Sequence, residues 1–97
     1  MAATVHVIAR YLAKAGKEES LKKVLIGLIA PSRREIGCYQ YDLLANPADP
    51  RDFCFVERWD QDAALDQHTQ TEHVKGAIAQ VEGLLEAPPD IRRYRVL

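Results

Sequence analysis

The chain has 97 residues, a formal net charge of −1, 47% hydrophobic residues and 28% charged residues, a composition typical of a soluble globular domain. The near-neutral charge, with no basic stripe carrying aromatic residues, argues against nucleic-acid binding, and no apolar run approaches the ~20 residues of a membrane-spanning helix. The amino terminus has no signal-peptide pattern, and Cys38 and Cys54 have no CxxC spacing. We therefore expect one cytoplasmic domain over residues 1–97 with reduced thiols.

The first third of the chain predicts a strand followed by an interrupted helix. Residues 4–12 alternate between two partly apolar faces, so we expect a strand that is covered on both sides. From about Lys17 apolar residues recur at helical spacing, and Pro31 should kink or break this helix. We expect the helix to resume as far as Glu35, and Gly37 then supplies a left-handed stop.

Two further strands should surround a turn rich in proline and aspartate. The second strand is expected over residues 38–44, with Tyr39 and Tyr41 on one face, and residues 45–52 form the turn. The third strand is expected over residues 53–59, where aromatic and β-branched side chains cluster. Side chains alternate along a strand, so Glu57 and Trp59 should share a face.

The last part of the chain predicts two helices and a final strand. Asp60 is the expected N-cap of a short helix over residues 61–68, a second helix should follow over residues 72–85, and the double proline ends it. The last strand is expected over residues 91–96. This β-α-β-β-α-β order predicts an α+β, ferredoxin-like fold, in which an antiparallel sheet carries helices on one face.

Three groups of residues, in this order, resemble the antibiotic biosynthesis monooxygenase (ABM) family. They are Pro31…Arg34-Glu35-x-Gly37-Cys38-x-x-Tyr41, then Asn46-Pro47…Asp49-Pro50, then Glu57-x-Trp59…Ala64-Leu65…His68-x-x-x-x-His73. The family comprises small dimeric α/β-barrel proteins that include quinol monooxygenases. The resemblance implies a homodimer whose two sheets pack face to face, and a pocket between sheet and helices in each subunit. It also implies that no metal, flavin or haem cofactor is needed.

The haem-degrading branch of the same superfamily matches the chain less well. That branch has a haem-ligating histidine at about Ile78, an asparagine at about Ala9 and a tryptophan at about His68. None of these residue types is present at those positions here. The resemblance therefore favours the cofactor-free members.

His68 and His73 are the candidate catalytic residues, because a neutral imidazole can remove a proton from a phenol near neutral pH. The resemblance places His68 at the pocket. A metal would favour two histidines four residues apart on one helix face, so we assign no metal to this pair. The alternative is that both rings cap helix ends or bind backbone carbonyls.

Four other residues are expected near the same pocket. Tyr11 and Tyr41 could donate hydrogen bonds to substrate oxygens, and Trp59 could stack on an aromatic ligand, although core packing would also explain each of them. Glu57 could orient a histidine, but a structural ion pair is the more common role.

These residues predict a cofactor-independent monooxygenase that oxidises a small electron-rich aromatic, such as a quinol or polyphenol, with O₂. Two alternatives stay open. The same base could isomerise a small hydroxy-ketone, and Arg10 facing the pocket would favour a phosphorylated substrate. The chain could also be a non-catalytic dimeric binding or stress-response module, with a shallow or filled cavity.

Overall fold

The computed structural model describes residues 3–97 and contains one four-stranded antiparallel sheet with the strand order β2-β3-β1-β4. In chain order the elements are β1 (Val5–Leu12), α1 (Glu18–Ile26), α2 (Ile29–Arg33), β2 (Cys38–Asn46), β3 (Asp49–Trp59), α3 (Asp62–His68), α4 (Glu72–Val81) and β4 (Asp90–Tyr94). The predicted α+β, ferredoxin-like order is confirmed, including the division of the second helical region into two helices.

The core lies between the helices and one face of the two central strands. Alternate residues of β1 and β3 are buried, as strand geometry requires, and they pair across the strands, Val5 with Trp59 and Ala9 with Phe55. Leu21 and Leu25 of α1 lie one helical turn apart and are fully buried against this face. The strand alternation therefore decides which side chains meet the helices.

The other face of the sheet is open in the single chain, whereas we predicted that both faces of β1 would be covered. Ile8 is 39% exposed on this face. Arg10 lies on the same side of β1 and binds Asp52 through two hydrogen bonds of 2.8 and 3.1 Å. One copy of the chain therefore leaves this face of the sheet without the predicted packing partner.

The break between α1 and α2 falls earlier than predicted. α1 ends at Ile26, and the interruption lies at Gly27 and Leu28 rather than at Pro31. Pro31 instead lies in the first turn of α2. Backbone N–H groups in a first turn make no hydrogen bond within the helix, so the missing N–H of proline is tolerated there. The left-handed stop is confirmed, since Gly37 has a φ of +86°.

The β2–β3 hairpin is longer and less regular than predicted. The two strands extend to Asn46 and from Asp49, so the turn is shorter than the eight residues we expected. A β-bulge lies at Tyr39, because Cys38 pairs with Trp59 while Gln40 pairs with Arg58. The prediction that Tyr39 and Tyr41 share a face is therefore wrong: Tyr41 is buried, and Tyr39 is exposed beneath the guanidinium of Arg58.

Two helix boundaries also differ from the prediction. α3 begins at Asp62 with Gln61, not Asp60, as its N-cap, because the chain stays extended through Gln61. α4 ends at Val81, and Gly83 with a φ of +83° turns the chain before Leu85 forms a bridge with Ala13. Within residues 3–97, every helix is too short or too polar to cross a bilayer.

Candidate functional site

A cavity of about 500 Å³ lies between the helix-covered face of the sheet and helices α1, α3 and α4, within the usual size range of small-molecule sites. Its walls are mostly apolar and include Val7, Ala9, Leu25, Leu28, Val74 and Ile91. Six lining residues have polar side chains: Thr69 and Glu82 follow the ends of α3 and α4, and the other four, from the sheet and from α3, are Tyr11, Tyr41, Glu57 and His68. Three of the four were predicted as catalytic or substrate-binding residues, and Glu57 as an orienting residue.

His68 and His73 both bind the same oxygen of Glu35. The Nδ1 atom of His68 lies 2.6 Å from Glu35 Oε2, and the Nε2 atom of His73 lies 2.7 Å from the same oxygen. A carboxylate form of Glu35 only accepts hydrogen bonds, and with it both ring nitrogens are the donors. Glu35 is separated from His68 by 33 residues, and the sequence analysis gave it no functional role.

The fold brings Glu35 to the histidines through a close contact at Gly37. A Cβ atom at this position would lie 2.6 Å from Asp60 Oδ1 and 2.8 Å from the Cβ of Ala64 in α3. The backbone N–H of Asp60 also donates to the carbonyl of Gly37 at 2.9 Å. Only glycine allows this approach at a positive φ, and it places Glu35 beside the end of α3.

The spacing of the two histidines depends on Thr71, the N-cap of α4. Its hydroxyl donates to the carbonyl of His68 at 2.8 Å and accepts a hydrogen bond from the N–H of Val74. One side chain thus joins the end of α3 to the start of α4. The residues between the histidines, which the sequence analysis took only as a break, fix both rings around Glu35.

His68 is placed to act as a base toward the cavity. It is 6% exposed, and burial lowers its pKa, while the hydrogen bond to Glu35 opposes that shift. Donation from Nδ1 to Glu35 leaves Nε2 of the neutral ring as the nitrogen with a free lone pair. His68 therefore combines a fixed tautomer with a position in the cavity wall.

His73 has a different position from the one expected of a catalytic residue. Its side chain is 25% exposed and does not line the cavity. It meets the site through Glu35 and through the ring of His68, at a centroid distance of 6.0 Å. In this geometry His73 can support Glu35, but it cannot reach a ligand in the cavity directly.

Glu57 and Trp59 form a buried pair, in which Trp59 packs in the core, the alternative that we weighed for it, and Glu57 lacks the expected ion pair. The indole Nε1 of Trp59 donates to Glu57 Oε1 at 2.9 Å, and no ion pair involves Glu57 among residues 3–97. Trp59 is fully buried, and it packs against the ring of His68 at a centroid distance of 4.7 Å without lining the cavity. Trp59 therefore holds neighbouring polar groups in place and does not stack on a ligand.

Burial changes the acidity of the other polar groups in the cavity. It raises the pKa of Glu57 to about 7, although the hydrogen bond from Trp59 partly offsets this. It raises the pKa of Tyr11 to about 12 and also raises that of Tyr41, and the charge of Glu57 adds to both shifts. The tyrosines therefore keep their hydroxyl protons and can donate hydrogen bonds to a ligand oxygen.

Glu35, His68 and His73 are also residue types that could bind a metal, and their ligand atoms lie within 4.8 Å of one another. Two of the three separations, 2.6 and 2.7 Å, are those of charge-assisted hydrogen bonds. They are shorter than the ~3.3 Å that separates two ligands of a tetrahedral metal with bonds of ~2.0–2.1 Å. A metal would thus have to separate atoms that now bind each other, and our assignment of no metal stays a prediction.

Comparison with known proteins assigns the chain to a family. Residues 4–80 match the family model described as antibiotic biosynthesis monooxygenase. The chain is 36% identical to the Mycobacterium tuberculosis protein "Putative monooxygenase Rv0793", over 91% of this chain and 86% of that protein. It is 35% identical to "Putative monooxygenase YcnE" of Bacillus subtilis, over 82% of this chain and 84% of the relative. The crystal structure of PA3566 from Pseudomonas aeruginosa superposes with a TM-score of 0.94 at 38% identity, covering 100% of this chain and 97% of that one.

Proposed function

Because the chain belongs to the antibiotic biosynthesis monooxygenase family, we propose that it is a monooxygenase that needs no cofactor and oxidises a small electron-rich aromatic, such as a quinol, with O₂. The observation that carries this proposal is the neutral ring of His68 in the wall of an apolar cavity. Glu35 holds that ring with Nδ1 protonated and Nε2 free.

The chemistry of O₂ explains why a base in an apolar cavity is useful. Oxygen in its triplet ground state reacts slowly with closed-shell molecules, so the substrate must first become a good electron donor. Removal of a phenolic proton does this, and His68 Nε2 is the group that takes the proton. Glu35 then stabilises the imidazolium that forms, as a carboxylate does for a catalytic histidine in hydrolases.

The rest of the cavity suits a flat aromatic ligand with oxygen substituents. Its apolar walls exclude water, which strengthens each polar contact inside. The hydroxyl groups of Tyr11 and Tyr41 are available to bind the phenolate oxygen or the oxygen derived from O₂. The phenol ring of Tyr41 and the imidazole ring of His68 lie 5.4 Å apart between centroids, so the donor and the base can contact the same end of a ligand.

The structure bears on one form of each alternative function. Arg10 in the pocket would have favoured a phosphorylated hydroxy-ketone, but Arg10 is exposed on the open face of the sheet and binds Asp52, so this alternative is left with an uncharged hydroxy-ketone. A binding module would have a filled cavity and His68 bound to a backbone carbonyl. The cavity instead measures about 500 Å³, and the partner of His68 is a carboxylate.

We also propose that two copies of the chain associate through the open face of the sheet. Ile8 and Leu44 are 39% and 50% exposed on this face, and apolar side chains on a flat sheet surface favour association. Light scattering should report a dimer at micromolar concentration, and Ile8→Glu should give a folded monomer. A wild-type monomer would contradict this arrangement.

The activity is tested by measuring oxygen consumption with a panel of hydroquinones, including menadiol, after treatment of the protein with a chelator. We expect consumption faster than autoxidation in buffer, and a product that contains one oxygen atom from ¹⁸O₂. Protein heated to unfold it controls for nonspecific effects of added protein. Failure to exceed autoxidation with any phenol in the panel would reject the proposed activity.

A further inference from the structure

Glu57 is a carboxyl group buried in the cavity without a positive partner. It is 5% exposed and lies in the centre of the sheet, between Val7 on β1 and Tyr41 on β2. One of its oxygens accepts the hydrogen bond from Trp59. No hydrogen bond from residues 3–97 reaches the other oxygen, which makes it the free end of the group.

The surroundings of Glu57 favour its protonated form. The titratable groups that line the cavity with it are Tyr11 on β1, Tyr41 on β2, His68 on α3 and Glu82 after α4, and the charge of Glu35 beside α3 opposes a second negative charge. The facing residues of α1 are apolar, as Leu25 shows. A charged carboxylate is costly to bury without a counter-ion, so Glu57 holds a proton under conditions in which an exposed glutamate would lose it.

The fold keeps this unfavourable group in a fixed position. Trp59, the single tryptophan, is fully buried, and its indole N–H donates a hydrogen bond to Glu57. If this position were only structural, an apolar residue would fill it at a lower cost in folding free energy. An uncompensated, oriented acid in a binding cavity is instead typical of a functional group.

We propose that Glu57 is the second catalytic group of the site, a general acid toward the oxygen derived from O₂ and then a base toward the ring carbon that carries this oxygen, while His68 acts on the phenol. This inference rests on the proposed monooxygenase function and adds to it a role for Glu57. It also assigns Trp59 as the positioning residue for Glu57, because Trp59 does not reach the cavity.

The assignment gives a balanced reaction for a hydroquinone. His68 Nε2 takes one hydroxyl proton, the phenolate gives an electron to O₂, and the two radicals combine to form a bond between a ring carbon and oxygen. Glu57 donates its proton to the outer oxygen, which gives a hydroperoxide. The Glu57 carboxylate then removes the hydrogen from that ring carbon as the O–O bond breaks, and the released hydroxide takes the proton of His68 to form water. The products are a hydroxyquinone and water, and both residues return to their starting states.

Trp59 allows Glu57 to be titrated without any substrate. Its indole binds Glu57 and packs on His68, so its fluorescence should change as either group gains or loses a proton. We expect wild-type protein to show a transition at about pH 7 that is absent in Glu57→Gln and retained in Glu86→Gln, which removes an exposed carboxyl outside the cavity. The transition of His68, whose pKa is lowered below its ordinary value, should lie at lower pH and remain in all three proteins. Equal titrations of wild type and Glu57→Gln would overturn the proposal.

Turnover provides the second readout. Glu57→Gln keeps the shape and the hydrogen bond from Trp59 but cannot transfer a proton, so kcat should fall roughly 10²-fold with little change in KM. If folded Glu57→Gln protein kept the wild-type kcat while His68→Ala was inactive, the role of Glu57 would be overturned. The role of His68 would stand. If wild type itself showed no turnover, the proposed function and this role would both fail. Circular dichroism checks folding, and Glu57→Leu replaces the glutamine variant if that one does not fold.

Discussion

Two carboxyl groups near the cavity, Glu35 and Glu57, have different surroundings. Glu35 lies between two imidazole rings and binds both through one oxygen, at 2.6 and 2.7 Å. Glu57 lies in the apolar floor of the cavity and receives one hydrogen bond, from an indole. The first environment stabilises a negative charge and the second disfavours one.

This difference separates two tasks that a single carboxylate could not perform. A group that supports the positive charge of a protonated base must stay ionised, whereas a group that donates a proton must keep it until the reaction needs it. In the proposed mechanism the same residue type has both roles, because the surroundings of Glu35 and Glu57 differ. Four changes test this contrast, and we take them from the largest expected effect to the smallest.

His68→Ala should have the largest effect, because it removes the base that both carboxyl groups serve. We expect kcat to fall roughly 10²- to 10⁴-fold, which corresponds to about 3–5 kcal/mol of activation free energy. Oxygen consumption with an active hydroquinone measures this. A fall in melting temperature large enough to explain the loss would instead mean that His68 is needed mainly for packing.

Glu57→Gln should change the pH dependence of stability. The folded pKa of Glu57 is about 7, against 4.5 for an ordinary glutamate, so between these values the unfolded chain has lost the proton and the folded chain has kept it. Stability from this group is complete below pH 4.5 and is lost as the pH rises to about 7, by about 3 kcal/mol. Glutamine cannot ionise and should not show this loss.

Urea unfolding of wild type and Glu57→Gln across this pH range measures the difference at each pH. The comparison matters because His68 acts in the opposite direction: its folded pKa is lowered, so its contribution is lost as the pH falls below 6.5. That contribution is common to both proteins and cancels. A constant difference between them across the range would mean that Glu57 ionises as an exposed glutamate does.

The contrast between the two carboxyl groups also shows how far the sequence could be interpreted. The alternation in residues 53–59 correctly placed Glu57 and Trp59 on one face, because a strand has a fixed period of two. It could not show that the indole would bind Glu57, since that depends on rotamers chosen during packing. The bulge at Tyr39 breaks the same period in β2, and no residue at that point signals it.

Glu35 was beyond the reach of local patterns for another reason. Its contact with His68 spans 33 residues and depends on two chain segments meeting at Gly37. The left-handed conformation of Gly37 was correctly predicted. A positive φ does not show which segment of the chain packs against the glycine, where a side chain would otherwise lie. The nearby motif Arg34-Glu35-x-Gly37 carried the family resemblance, and it was the only sequence signal that could have drawn attention to Glu35.

Glu35→Gln should reduce activity roughly 10- to 100-fold, about 1.4–2.7 kcal/mol. An amide can donate to Nδ1 of His68 and so favour the tautomer with Nε2 protonated, which cannot accept the substrate proton. The pH dependence of kcat/KM should shift for Glu35→Gln in the low-pH limb, whereas Glu57→Gln should change the high-pH limb. Identical profiles for the two variants would remove the distinction between the two carboxyl groups.

His73→Gln should have the smallest effect, because the His73 side chain is 25% exposed and does not line the cavity; it meets the site through Glu35 and the ring of His68. Glutamine can still donate a hydrogen bond to Glu35 Oε2, so the carboxylate should stay aligned with His68. We expect kcat within about threefold of wild type, a change below ~0.7 kcal/mol, with His6→Gln on the opposite sheet face as the matched control. If His73→Gln were instead as inactive as His68→Ala, the base would have to be His73. Glu35 would then have to swing away from α4 to open that ring to the substrate, and the separation of tasks between Glu35 and Glu57 would no longer hold.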